Sequence, residues 1–287
     1  MTARRNIKQG QFFGSTMRCA WPLFIFGMAL LAGLPARAQR AEMISRTELW
    51  VCADPNNLPY SNEARQGFEN RVAEIIGADF DLPVSYVWFP QVVGFVRNTL
   101  RARECDLVMG AVSGDGIMDS TNPYYHTGYM IVTRTADGIT ARSVGDPALA
   151  GKKFGVIAAT PPTDLLVRHR LMDQVRPYAL RVDTRISNPP KAMLQDLVDG
   201  QIDVALVWGP AAGYAIKQDH LPLTASFIEP EPGAPRLDYR IAMGVRANEP
   251  EWRRRINQAI GKHKTEIAAV LADYGVPLMD DQGKPEP

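Results

Sequence analysis

Apolar residues along the chain recur at two spacings, and the alternation between them predicts the order of elements. Leu49-Trp50-Val51-Cys52-Ala53 is a short apolar run closed by Asp54-Pro55-Asn56-Asn57-Leu58-Pro59, so it reads as a buried strand that stops there. Phe68, Val72, Ile75, Ile76 and Phe80 recur at helical spacing, and residues 84–89 read as a second strand. A helix carrying Val92, Phe95, Val96, Thr99 and Leu100 is expected next, then a third strand over 106–112. Three strands joined by two helices predict a parallel unit, because parallel neighbours need a crossover connection.

A second set follows in the same order. Residues 128–133 read as a long strand, 153–158 as the start of a new sheet, and Leu165, Leu166 and Leu171 as a helix. Residues 179–182 read as a strand, Met193, Leu194, Leu197 and Val198 as a helix, and 202–208 as a further strand. Residues 240–245 form the last strand, and Trp252, Ile256, Ile260, Ile267, Val270 and Leu271 mark one closing helix. The expected fold class is α/β: two doubly wound β/α lobes joined by a hinge, with a cleft between them. The boundaries are 39–130 with 240–275 for the first lobe and 131–239 for the second. Residues 276–287 are expected to be a frayed polar tail.

Composition changes the picture mainly at the start. The apolar stretch from Arg18 to Ala38 begins with a basic residue, is interrupted by Pro22, Gly27, Gly33 and Pro35, and ends in Ala36-Arg37-Ala38. Those are the parts of a secretory signal peptide, so 1–38 is expected to be removed and the product exported to the periplasm. The competing reading is a membrane anchor, for which the uninterrupted apolar run is too short. The whole chain carries 32 basic and 31 acidic residues. Five of the basic ones and none of the acidic ones fall in 1–38, which leaves a mildly acidic product and no electrostatic footprint for nucleic acid. Cys52 and Cys105 are then the two remaining cysteines, and an oxidising compartment favours a disulfide between them over two buried thiols.

Candidate chemistry gathers at the carboxyl ends of the strands, where open α/β sheets bind ligands. These positions hold Asp54, Asn57 and Tyr60 after the first strand, Ser113 after the third, and Tyr124 in Asn122-Pro123-Tyr124-Tyr125. Thr160 and Thr163 open a helix of the second lobe, and Trp208 closes its last strand. Together they offer hydrogen bonds and aromatic faces for a small polar ligand. Each also has a plainer role: Asx-turns for Asp54 and Asn57, a helix cap for Thr163, and core packing for Trp208. Of Tyr124 and Tyr125, one at most should reach a ligand, because they point to opposite faces when extended.

Catalytic patterns are scarce. Ser113 stands one place too late for G-x-S-x-G, and Gly151-Lys152-Lys153 lacks the rest of a P-loop. His126, His169, His220 and His263 are scattered, with no zinc pairing, and no cofactor motif is present.

With these residues in view, the chain resembles the periplasmic solute-binding proteins of the amino-acid receptor type (type II). More narrowly it resembles their quinoprotein-dehydrogenase-associated branch, the methanol-oxidation J proteins of the MxaJ/XoxJ group. The run from Val51 to Asn62, Gly67-Phe68-Glu69-Asn70, Cys105-Asp106-Leu107-Val108-Met109-Gly110, Pro123-Tyr124-Tyr125 and the run from Asp203 to Pro210 carry the likeness. It implies a non-enzymatic periplasmic accessory of a pyrroloquinoline quinone (PQQ)-dependent methanol or alcohol dehydrogenase, binding the dehydrogenase, a small cleft ligand, or both. The chain departs from the wider receptor family at both amino-acid handles. The loop from Ser113 to Asp119 lacks the Arg that would fork a ligand carboxylate, and no acid follows Trp208 to meet the ligand amine. Two alternatives stay open: the substrate-binding component of an ABC importer for a small polar solute, and a dehydratase-like enzyme with Asp54 as a cleft acid.

Overall fold

The computed structural model describes residues 46–286, so the signal-peptide expectation over 1–38 lies outside the described residues. In chain order the elements are β1 (Leu49–Ala53), β2 (Asn56–Asn57), β3 (Ser61–Asn62), α1 (Phe68–Asp79), β4 (Val84–Trp88), α2 (Phe95–Asn98), β5 (Leu107–Val112) and β6 (Asp119–Arg134). They continue with β7 (Phe154–Ile157), α3 (Pro161–Arg168), β8 (Val175–Tyr178), α4 (Pro189–Val198), β9 (Val204–Trp208) and α5 (Gly209–Lys217). The last are β10 (Leu223–Phe227), β11 (Asp238–Val245), α6 (Pro250–Lys262) and α7 (Lys264–Asp273).

Two parallel triplets define the architecture. β1 lies between β4 and β5, and β7 lies between β8 and β9, each pair parallel. Antiparallel β11 and β6 join the triplets, giving the order β4-β1-β5-β11-β6-β9-β7-β8, with β10 also on β6. The first part of β6 pairs with β11, and its last part pairs with β9 and β10.

Alternation along the strands buries both faces of each triplet. Leu49, Val51 and Ala53 enter one core with Phe68, Trp252 and Ile256, while Cys52 enters another with Phe95, Leu100 and Cys105. Val204 and Leu206 pack with Phe154 and Leu165 on one side of β9, and Ala205 and Val207 pack with Met193 and Leu197 on the other. Strands covered on both faces read as continuous apolar runs, which is why they are visible in the sequence. Phe68 is fully buried, which is worth about 2–3 kcal/mol of transfer free energy.

Cys52 and Cys105 are disulfide-bonded, with a Cα–Cα distance of 5.6 Å. The loop before β5 is braced by ions as well: Arg246 donates to the Cys105 carbonyl and, at 3.1 Å, to Asp106. Arg46 meets the same Asp106 at 3.1 Å.

Several expected elements differ. The strand expected over 179–182 is β8, four residues earlier; Pro177 lies within it, and it is tolerated because β8 is an edge strand. The helix around Val92 to Leu100 shrinks to the four residues of α2. The strand expected over 128–133 extends to sixteen residues in β6. α5 and β10 were not expected, and the closing helix is two, α6 and α7. The segment after α7 does not fray: Thr127 Oγ1 donates to the Pro277 carbonyl at 2.6 Å, Met279 N to the His126 carbonyl at 2.9 Å, and Arg240 pairs with Asp281 at 2.7 Å. No helix among the described residues is long and apolar enough to cross a membrane.

Candidate functional site

A cleft of about 630 Å³ opens at the carboxyl ends of β1, β5 and β9. The β1–α1 connection supplies Tyr60 and, in the first turn of α1, Glu69. The end of β5 and the loop beyond it supply Gly110, Val112 and Asp115, while β6 supplies Tyr125 and Tyr129. Trp208 of β9, Tyr239 and Ile241 of β11, and the loop residues Gln91 and Leu180 complete it. The rings form a continuous wall, with Tyr129 and Trp208 at 5.0 Å between centroids and Trp208 and Tyr239 at 6.0 Å. None of the lining residues is basic.

The local backbone explains why Glu69 points here. Gly67 begins α1 so close to the preceding turn that a Cβ would lie 1.9 Å from the Tyr60 carbonyl oxygen. This close approach lets Phe68 N donate to Pro59 O at 2.9 Å and Glu69 N to Tyr60 O at 3.0 Å. The first helical N–H groups are therefore satisfied by protein carbonyls, and the Asn70 side chain accepts from Gly67 N at 3.0 Å. The Glu69 carboxyl then rests on Gly110, where an added Cβ would meet its Oε1 at 2.5 Å. Glu69 is 5% exposed, and its carboxyl has no hydrogen bond or ion pair among the described residues. Burial first, and the nearby Asp54 carboxylate second, push it up to about 8. Tyr60 and Tyr125 are raised as well, burial being the main cause and the charge of Glu69 a lesser one.

Of the sequence-predicted residues, Tyr60 and Trp208 line this cleft. The others sit elsewhere. Asp54 is fully buried and its carboxylate is filled: Oδ1 accepts from Asn56 N at 2.9 Å and from Thr184 Oγ1 at 2.6 Å, and Oδ2 accepts from Gln91 N at 2.7 Å. The first of these bonds is the Asx-turn that the neighbouring Pro and Asn favour. Asn57 lies in β2 and donates to Gln91 Oε1 at 3.4 Å. Ser113 is exposed on the loop after β5. Tyr124 turns away and donates to the Met109 carbonyl at 3.1 Å, so Tyr125 is the member of the pair that reaches the cleft.

Thr160 and Thr163 do not cap α3. Both hydroxyls donate to the Ile157 carbonyl, at 2.6 and 3.3 Å. Pro161 and Pro162 remove the first two N–H groups of that helix, and Thr163 N donates to Thr160 O at 2.9 Å, so neither a cap nor an anion site forms there.

Glu69, Gln91, Tyr129 and Tyr239 were missed. An acid in the first turn of a helix reads as an ordinary dipole partner, and tyrosines in apolar strands read as core. Gly67, ahead of Glu69, was the available signal: a glycine at that point marks a tight approach of backbone to backbone.

Two parallel triplets crossed by long antiparallel strands, with a cleft at the strand ends, define a type II periplasmic binding protein fold. No family model matches the chain. The crystal structure of periplasmic binding protein XoxJ from Methylobacterium extorquens AM1 is similar at 36% identity and a TM-score of 0.70, over 81% of this chain and 100% of that one. MxaJ from Methlophaga aminisulfidivorans MPT is similar at 28% identity and a TM-score of 0.69, over 80% of this chain and 100% of that one. Protein MoxJ of Paracoccus denitrificans is 25% identical over 250 residues, which is 81% of this chain and 90% of that protein. The chain belongs to the XoxJ/MxaJ family of periplasmic binding proteins.

Proposed function

We propose that the chain is a non-enzymatic periplasmic accessory of a PQQ-dependent methanol or alcohol dehydrogenase, exported by residues 1–38. The observation that carries this reading is the 36% identity to XoxJ across the whole of that protein. The two lobes divide at 130/131 and 239/240, so both strands that cross between them pass through the cleft wall at Tyr129 and Tyr239.

The rim offers a surface for a protein partner. The loops that carry Gln91, Asp115 and Leu180 also expose Val93 at 70%, Ile117 at 52% and Ile186 at 85%. Large exposed apolar residues gathered on loops around a cleft are a usual mark of an interaction site. The test is co-purification: the tagged mature chain, expressed in its own cells during growth on methanol, is expected to retain the dehydrogenase. Retention of a membrane permease instead would favour the importer reading, and the absence of both would overturn the accessory role.

A solute-binding reading has one specific observation behind it, the unpartnered Glu69 in the cleft. The dehydratase-like reading is weakened, because Asp54, the acid on which it rests, is filled by three protein donors.

A further inference from the structure

We propose that the cleft binds a small organic ammonium ion, held by the Glu69 carboxylate and the aromatic wall of Tyr60, Tyr129, Trp208 and Tyr239. It rests on the cleft being a binding site and does not depend on the dehydrogenase partnership.

Three observations converge on this class of ligand. The first is a buried carboxyl with an unfilled hydrogen-bonding edge. Three protein donors converge on the neighbouring Asp54, and Glu69 is left without one among the described residues while lining open space. An ionised carboxylate in that position needs a cation or donors brought from outside.

The second is the sign of the surroundings. The lining has two acids, Glu69 and Asp115, and no Lys, Arg or His. An anionic or zwitterionic ligand would bring a carboxylate into a lining that has no cation to hold it. The third is the wall: tyrosine and tryptophan faces attract cations through their quadrupoles, and most strongly where water is excluded. Neutral apolar ligands would use the same faces but leave Glu69 unpaired.

Ammonium ions fit better than metal ions. No group of three or more metal-ligating side chains occurs among the described residues, whereas one carboxylate with aromatic faces suits a soft, weakly hydrated cation. Gly110 makes the room, since a side chain there would displace Oε1.

Glu69 is held mostly neutral near pH 7, so an ammonium that ionises it releases a proton on binding. The groups facing Glu69 are Asp54 just after β1, Tyr60 from the β1–α1 turn, Tyr86 from β4, and Tyr124 and Tyr125 from β6. The tyrosines stay neutral throughout the working range, so the pH response belongs to Glu69.

The test is isothermal titration of the isolated mature protein with tetramethylammonium, choline and 3,3-dimethylbutan-1-ol, the uncharged counterpart of choline. Choline is expected to bind at least about 10-fold more tightly than the alcohol. Its affinity should rise about 10-fold from pH 6 to pH 7 and level off above about 8, with a heat that depends on the buffer. Glu69→Gln should lower ammonium affinity about 10-fold or more and abolish the pH slope, while leaving the alcohol unchanged. Gly110→Ala keeps the charge but shifts the carboxyl, and should weaken choline in the same direction even if Glu69→Gln is poorly folded. Equal binding of choline and the alcohol would overturn the proposal. So would no saturable ammonium binding up to about 10 mM, or an unchanged pH slope in Glu69→Gln.

Discussion

Replacing Asp54 with Asn tests the reading of this residue as a structural knot. The substitution keeps shape and volume but turns one acceptor oxygen into a donor. In the native arrangement three donors converge on the carboxylate, from Asn56 N at 2.9 Å, Thr184 Oγ1 at 2.6 Å and Gln91 N at 2.7 Å. An asparagine oxygen turned toward Asn56 and Thr184 sets its NH₂ against the Gln91 N–H. Turned the other way, it sets the NH₂ against the Asn56 N–H. Either orientation leaves a partly buried backbone donor unpaired, at about 1–2 kcal/mol, and removes the charge assistance of the surviving bonds, at about 1–2 kcal/mol more.

A total of about 2–4 kcal/mol corresponds to a fall in Tm of roughly 4–16 °C for a chain of this size. Thr184→Val alone should cost about 1 kcal/mol, and combined with Asp54→Asn it should cost less than the sum, because the two share a bond. Differential scanning calorimetry at pH 7 on the four proteins measures both quantities. A Tm for Asp54→Asn within about 1 °C of the native value would refute the knot and return Asp54 to the list of free cleft acids.

Other outcomes follow from the same contacts. Removing the disulfide as Cys52→Ala/Cys105→Ala frees cysteines 53 positions apart and should cost about 4 kcal/mol by loop entropy, read as a lowered Tm in the absence of reductant. Trp208→Ala should weaken cleft ligands while costing about 1–3 kcal/mol of stability, because the ring is only partly buried between Tyr129 and Tyr239; a loss without any binding change would make it a core residue alone. Because the folded protein holds the Glu69 proton up to about 8, stability from this group is full below about 4.5 and is lost as pH rises toward 8. Glu69→Gln should therefore be more stable than the native protein at pH 8.5, by on the order of 4 kcal/mol, and lose most of that advantage at pH 5 in thermal melts at the two pH values.

The parallel triplets were legible because strands buried on both faces leave unbroken apolar runs, as in Leu107 to Val112 and Val204 to Trp208. Proline obscured the rest. Residues 119–127 were not read as strand, yet β6 runs through Pro123, because its register against β11 shifts at that point and needs no N–H from it. Gly209-Pro210 read as a stop, yet proline in the first turn of α5 is a usual way to begin a helix.

The candidate site was less legible than the fold. The sequence marks polar residues at strand ends but not whether their bonds are used. Asp54, the most conspicuous, is satisfied internally, and the inconspicuous Glu69 is not, a difference set by where Gln91 and Thr184 bring their donors. The loop from Ser113 to Asp119 carries no Arg, and the cleft lining likewise has no basic residue.

The proposed partnership with a PQQ-dependent dehydrogenase is tested most directly by titrating the purified mature chain against the isolated dehydrogenase of the same cells, with and without bound PQQ. A saturable complex of fixed stoichiometry is expected, weakened when Ile186 or Val93 is replaced by Asp. No complex with either form at about 50 µM of each protein would contradict it.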